Sequence, residues 1–532
     1  MIGADAVCQA LAALGVDCVF GIPSQQNLTL YDAIRRHGDI RAIGVRHEQA
    51  AVHAADGYAR ATGRLGVAIA STGPGTANAV AGLFEAGFAS SPVLLITTQI
   101  PSYYLGRSKG FIHDADRQLE LMRSGALYAD SVRHPDTIAS QIADIANRIL
   151  QGRRQPGGIE IPTDFLDAPV QNQSPDIRLE RTVFMPMPAA IAEAVQRIEA
   201  AERPIIWVGG GAQDAAADVV RLVERLNAPA FSSLNGRGVL PAEHPLYVGW
   251  QTKFPDTQAL LDASDLVIAI GTRFQAVATR EWTLKMPEMV HIDIDPQVIG
   301  CNYPVKYGVV GDAGVIVNQL LNRVSPRPLW RNANELIAEC RAKLRAATKK
   351  LAGPDHTIMC ALLEKHRPKD SILMCDATRA GSTWGNLMVP IHGPRNAMYS
   401  TSLAIGPGLP VAMGAAIGTG RRTISINGDG GIMLSIPELA TAVETKAPLL
   451  IMVFNDQCYG VLKGLQLQKV NAPFGVDLHT PDFQLLARSM AMPSKRAATL
   501  GEYEEALIEG LNTDGPFLLE VDVTKFAPIA LG

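Results

Sequence analysis

Residues 421–460 read RRTISINGDGGIMLSIPELATAVETKAPLLIMVFNDQCYG, and the fold is decided here. A short apolar run turns at Gly428-Asp429-Gly430, a helix-like segment covers 437–446, and a second apolar run covers 449–454. That order is strand, glycine turn, helix, strand, the repeating unit of a parallel sheet. A right-handed crossover brings both strand ends to one edge, where sheets of this kind bind ligands. Asp429 ends the first strand and Asp456 the second. Two carboxylates at one rim, beside glycines that let backbone N–H groups approach an anion, suit a divalent cation bridged to phosphates.

The same alternation of strands and helices runs outward in both directions. Strands are expected at 18–21, 40–45, 66–70 and 93–97, with a helix over 48–62; further strands are expected at 204–209, 230–232, 266–270 and 290–294. With 532 residues, the chain is too long for one core. We therefore expect an α/β protein of three doubly wound domains with mostly parallel sheets, at 1–165, 188–325 and 357–532. Residues 162–187, rich in Pro, Asp and Gln, read as a linker, and 334–350 as a charged amphipathic helix packing across domains.

Composition narrows the function. A hydrophobic content of 47%, with 19% charged residues and a formal net charge of −4, describes a globular chain without the basic footprint of a nucleic-acid binder. No apolar run approaches the length of a membrane span, and the N-terminus reads as an amphipathic helix rather than a signal peptide. The seven cysteines are scattered, odd in number and without a C-x-x-C pair, as expected of a reduced cytoplasmic enzyme.

Gly-Asp-Gly followed by an apolar strand ending in Asn-Asp resembles the thiamine diphosphate signature of the acetolactate synthase, pyruvate decarboxylase and benzoylformate decarboxylase superfamily. The resemblance continues in Phe20-Gly21-Ile22-Pro23, Arg46-His47-Glu48-Gln49, Asp56-Gly57-Tyr58-Ala59-Arg60, Thr72-Gly73-Pro74-Gly75-Thr76-Ala77-Asn78 and Leu403-Ala404-Ile405-Gly406-Pro407-Gly408. It spans essentially the whole chain. It implies a pyrimidine-binding first domain, a Rossmann-like central domain, and a third domain that binds diphosphate and Mg²⁺. The two metal-ligating side chains of the family lie 27 positions apart, and 456 − 429 = 27. The metal ligands implied are thus Asp429, Asp456 and the backbone carbonyl of Cys458.

Further roles follow from the resemblance alone. Glu48 would hydrogen-bond the cofactor's ring nitrogen; read by itself, it is an acidic residue favoured at a helix N-terminus. Leu403 and Ile405 would hold the aminopyrimidine, with Ile405 as the wedge beneath the cofactor or simply a core aliphatic. Thr378, Arg379, Gly428, Gly430 and Gly431 would line the diphosphate. His113 and Gln25 are candidate catalytic residues, and Gln26, His113 and Leu462 candidate substrate contacts. The alternatives are a solvated loop histidine, turn amides and a packing leucine. Leu462 stands where pyruvate decarboxylases carry Glu, which points to an apolar pocket wall.

The implied activity is cleavage or formation of a C–C bond beside the carbonyl of a 2-oxo acid or 2-hydroxy ketone, by a decarboxylase or carboligase. Its partners are a small 2-oxo acid, aldehyde or acyloin, and a second copy of the chain, in a homodimer or homotetramer with active sites at the subunit interface. Two other readings stand beside it. One is an acetolactate synthase with structural FAD, possible but not favoured on the glycine cluster Gly209-Gly210-Gly211; the other is a catalytically silent cofactor-binding paralogue.

Overall fold

A computed structural model describes residues 1–171 and 182–530. It contains three six-stranded sheets. The first comprises β1 (Cys18–Gly21), β2 (Arg41–Gly44), β3 (Gly66–Ala70), β4 (Val93–Gln99), β5 (Tyr128–Ser131) and β6 (Gly157–Pro162), in the order β2-β1-β3-β4-β6-β5. The second comprises β7 (Pro204–Val208), β8 (Ala230–Ser232), β9 (Tyr247–Gly249), β10 (Leu266–Ile270), β11 (Glu288–Asp293) and β12 (Tyr307–Val310), in the order β12-β11-β10-β7-β8-β9. The third comprises β13 (Ile372–Cys375), β14 (Ala397–Tyr399), β15 (Thr423–Gly428), β16 (Leu449–Asn455), β17 (Ser494–Ala497) and β18 (Phe517–Asp522), in the order β14-β13-β15-β16-β18-β17. The sheets are parallel, as expected.

Lowering each label of the third sheet by twelve reproduces the order of the first. These two sheets are therefore two copies of one topology. Their central strands, such as GVAIA in β3 and LLIMVFN in β16, are buried along their whole length. Both faces are covered by helices, which is why these strands read as continuous apolar runs rather than alternating ones.

The chain forms two compact units. One contains residues 1–181, 372–378 and 399–523; the other contains 182–371, 379–398 and 524–532. Within the first, helix Glu48–Thr62, which follows β2, crosses helix Gly408–Thr419, which follows β14. The crossing is a backbone contact. A Cβ on Gly57 would lie 1.9 Å from the Val411 carbonyl oxygen, and one on Gly414 would lie 1.8 Å from that of Ala54. Only glycine lets the two helices approach this closely.

The helix expected over 334–350 runs Ala333–Ala352; it buries Ile337, Cys340 and Leu344 in the central core and also packs on 354–366 and 381–385 of the expected third domain. Residues 460–470, which carry Leu462, form helix Gly460–Val470. The expected linker opens with structure, since β6 is followed by helix Thr163–Asp167, while 172–181 lie outside the described residues. No helix among the described residues is long and apolar enough to cross a membrane.

Candidate active site

The predicted residues gather in two clusters, at the strand ends of the first and third sheets. In the third, β15 and β16 pair in parallel with Gly428 opposite Phe454, so the residues that follow them, Asp429 and Asp456, leave the sheet side by side. Asp429 opens a short helix, Asp429–Ile432, and is buried. Its carboxyl is pushed up to about 7 by burial and by the Asp456 charge, against backbone N–H groups of Gly430 and Gln457 that pull it down. Its Oδ2 is buried and accepts no hydrogen bond.

A buried carboxylate oxygen without a donor is costly. Facing a second carboxylate, it is a place for a cation, and the donors are hard oxygens of the kind Mg²⁺ takes, with phosphates completing the shell. No group of three or more His, Cys, Asp or Glu side chains that could hold a metal occurs among the described residues. The Cys458 carbonyl accepts the Gly460 N–H at 2.9 Å, which leaves one lone pair. Its thiol is pushed up to about 12 by burial and by Asp456 and stays protonated.

Thr378 and Asp376 close the floor of this cluster. The Thr378 hydroxyl lies where a Cβ on Gly428 would come within 2.9 Å of it, and an Asp376 oxygen lies 3.0 Å from a Cβ on Gly431. Asp376 also accepts the Gly406 N–H at 2.9 Å; burial pushes its carboxyl up to about 6. The segment ahead of Gly406 protrudes: Leu403 is 59% exposed with φ 62°, and Ile405 is half-buried. Arg379 belongs to the second unit, where its carbonyl accepts the Thr383 hydroxyl. Leu462 lies on helix Gly460–Val470 and is exposed.

In the first sheet the hub is the turn after β3. Asn78 donates to Glu48 Oε2 at 3.0 Å, and Glu48 Oε1 lies 3.2 Å from where a Cβ on Gly75 would stand. Ser71 donates to Gln26 Oε1 at 3.2 Å, and the His113 carbonyl lies 2.5 Å from a Cβ on Gly73. Glu48, Gln26 and His113 are thus brought to one turn, with Glu48 half-buried and His113 exposed in a left-handed conformation. Gln25 starts a single 3-10 turn and is exposed, apart from this hub.

Sequence reasoning missed two supports of Glu48. Asn78 was visible only as the last letter of a motif. Buried Glu438 accepts the Arg46 N–H at 2.9 Å and the Thr441 hydroxyl at 2.7 Å, and that hydroxyl oxygen lies 3.2 Å from the Gly44 carbonyl, its alternative acceptor. Glu438 secures the turn between β2 and Glu48 from 392 residues away. Its place in Ser435-Ile436-Pro437-Glu438, one turn beyond Asp429, was the available signal.

In the second unit, Gly209 and Gly211 press on Gly271: a Cβ on Gly209 would lie 2.1 Å from the Gly271 oxygen. Backbone packing between the ends of β7 and β10 accounts for this glycine run.

Family models described as the thiamine pyrophosphate enzyme N-terminal TPP binding domain, central domain and C-terminal TPP binding domain match residues 1–121, 191–320 and 380–521. The chain is 32% identical over 526 residues to a probable 2-ketoarginine decarboxylase, AruI, of Pseudomonas aeruginosa, covering 97% of this chain and 93% of that one. It is 31% identical over 573 residues to a probable acetolactate synthase large subunit of Methanococcus aeolicus, covering 100% and 93%. The acetolactate synthase isozyme 2 large subunit of Escherichia coli is 29% identical over 542 residues, with 99% and 96% covered.

Proposed function

The chain belongs to the thiamine pyrophosphate enzyme family and is a thiamine diphosphate-dependent enzyme of 2-oxo acid decarboxylation or carboligation, and from this we propose how its own residues divide the work. Residues 1–165 bind the pyrimidine half of the cofactor, 188–325 form a structural central domain, and 357–532 bind diphosphate and Mg²⁺. The observation that carries the metal assignment is the donorless oxygen of Asp429 facing Asp456. Asp429, Asp456 and the Cys458 carbonyl hold Mg²⁺; Thr378, Arg379, Gly428, Gly430 and Gly431 surround the diphosphate.

When bound, thiamine diphosphate supplies a nucleophilic carbon and an electron sink for the C–C bond that breaks. Glu48, oriented by Asn78, holds a proton at the ring nitrogen. Leu403 and Ile405 set the height of the rings. His113, Gln25 and Gln26 orient the substrate carbonyl and its acceptor through hydrogen bonds, and Leu462 forms an apolar wall. The 2-ketoarginine decarboxylase and acetolactate synthases among the relatives support decarboxylation of a 2-oxo acid, with transfer of the acyl unit to an aldehyde or ketone as the ligase branch.

We propose a homo-oligomer in which Glu48 of one copy meets the metal cluster of another. Exposed Phe84 and Phe88 on helix Pro74–Ala89, and Leu462, Leu465 and Val470 on helix Gly460–Val470, support such an interface. The free thiols suit a cytoplasmic enzyme. Flavin is left out, because packing explains the central glycines. The deciding experiment supplies purified protein with thiamine diphosphate, Mg²⁺ and a panel of 2-oxo acids, following CO₂ and coupled products by mass spectrometry. CO₂ release, with or without an acyloin, is the expected result; bound cofactor with neither CO₂ release nor acyloin cleavage would overturn it.

A further inference from the structure

Leu403 is 59% exposed although it protrudes from a loop whose flanks are buried. Something must hold that loop rigid. At its C-terminal end the Asp376 carboxylate accepts the Gly406 N–H. At its N-terminal end the holder is Glu85, which is 1% exposed and comes from helix Pro74–Ala89 of the first sheet. Glu85 Oε1 accepts the Thr401 N–H at 2.7 Å, and Oε2 accepts the Ser402 N–H at 2.9 Å and the Ser402 hydroxyl at 2.5 Å.

Arg60 completes the arrangement. It donates to Glu85 Oε1 at 2.7 Å, to both oxygens of buried Asp56, and through Nη1 to the Tyr399 carbonyl at 2.8 Å. One cation is thus shared by two buried carboxylates, and the loop's own N–H groups supply the remaining donors. Burial alone would raise the Glu85 carboxyl; the Arg60 charge and the donors from Arg60 and Ser402 bring it down to about 2. The loop is consequently held by a permanent anion, through charge-assisted bonds each worth about ten-fold or more in an equilibrium.

We propose that Glu85 is a positioning residue: its carboxylate, locked by Arg60, clamps the backbone of Thr401 and Ser402 and thereby sets the height at which Leu403 and Ile405 meet the aminopyrimidine. The proposal rests on the reading that these two residues face the cofactor. It links helix Pro74–Ala89, whose first turns carry the Gly75 and Asn78 contacts to Glu48, to the segment beneath the rings. In the proposed oligomer one helix then touches the proton-holding group of one site and the wedge of the other.

Three variants test it. In cofactor-free Glu85→Gln, amide hydrogen exchange at Thr401 and Ser402 should speed up ten-fold or more while the far-UV spectrum stays unchanged; unaltered exchange overturns the clamp. In the holoenzyme saturated with thiamine diphosphate and Mg²⁺, exchange of the cofactor's reactive-carbon proton into D₂O should slow at least ten-fold in Glu85→Gln and in Ile405→Ala. A slow Ile405→Ala beside a normal Glu85→Gln overturns the clamp and keeps the reading of Ile405. Normal rates in both overturn the reading itself. Should Glu85→Gln fail to fold, Ser402→Ala, which keeps the Glu85–Arg60 pair, decides by the same two measurements: a several-fold change in each is expected, and wild-type values in both overturn the clamp.

Discussion

Gly57→Ala adds a single methyl group where two helices touch backbone to backbone. On an exposed helix this change would stabilise by about 1 kcal/mol. Here the new Cβ would lie 1.9 Å from the Val411 oxygen and 2.6 Å from its carbonyl carbon, whereas ordinary contact begins near 3.4 Å. One helix must therefore withdraw by 3.4 − 1.9 = 1.5 Å, and no rotamer can relieve a clash with backbone. Overpacking costs about 1–3 kcal/mol and sometimes more, and a backbone obstacle belongs at the upper end. Set against the propensity gain, the net loss is about 2 kcal/mol, or a fall of roughly 2–3 °C in melting temperature for a unit of this size. Turnover should fall further than stability, because Glu48 starts the same helix. Gly501→Ala is the control: nothing lies within 4 Å of its Cβ in helix Leu500–Asn512, so it should be neutral or slightly stabilising. Melting followed by circular dichroism checks both, and a Gly57→Ala protein as stable as wild type would refute the reasoning.

Asp429→Asn should abolish Mg²⁺-dependent retention of thiamine diphosphate in calorimetric titration, yet leave the cofactor-free protein as stable as wild type or more so, because the buried carboxylate lacks a donor on Oδ2 and faces another acid. Glu48→Gln should melt as the wild type does and lose turnover by about 100-fold or more, measured as CO₂ release; near-normal turnover would remove Glu48 from the chemistry. Burial holds the His53 imidazole down to about 4, with the Glu85 charge opposing and Arg60 and His47 assisting. Its folded value lies below its unfolded one, so the unfolded chain binds more protons between pH 6.5 and 4, and stability falls as pH drops through that window, by about 3 kcal/mol. Denaturant melts from pH 7 to 4 should show this loss, and His53→Gln should reduce it. In sedimentation at working concentration an active oligomer is expected; an active monomer would contradict a site shared between copies.

Strands β3, β8 and β10 and helix Glu48–Thr62 were legible to the residue. Strands β3 and β10 are continuous apolar runs and β8 a short segment after Pro229; the helix has a His47 cap and ends at Gly63 with φ 75°. By contrast, β6 reads GGIEIP and hides a buried Glu160, so glycine, proline and charge masked a central strand. Helix Pro74–Ala89 was visible as a motif but not as a helix, because its small residues trace no amphipathic stripe. Of the site, the residues that touch ligand could be matched to a family motif by position. The residues that hold them could not: Glu438 meets Arg46 across 392 positions and Glu85 meets Ser402 across 317, and no local pattern encodes such pairs.

The discontinuity of the first unit has a consequence for the order in which the chain is made. Residues 1–181 leave the ribosome long before residue 399 opens the last segment of the same unit, and 398 − 181 = 217 residues lie between them. At cellular synthesis rates that delay is roughly 10–45 s. Throughout it the first sheet can form, but the glycine face of helix Glu48–Thr62 has nothing to cross, and Asp56 and Glu85 have only Arg60 between them. The period of exposure to aggregation and chaperones is thus set by the length of the inserted unit, not by anything written in the first sheet itself.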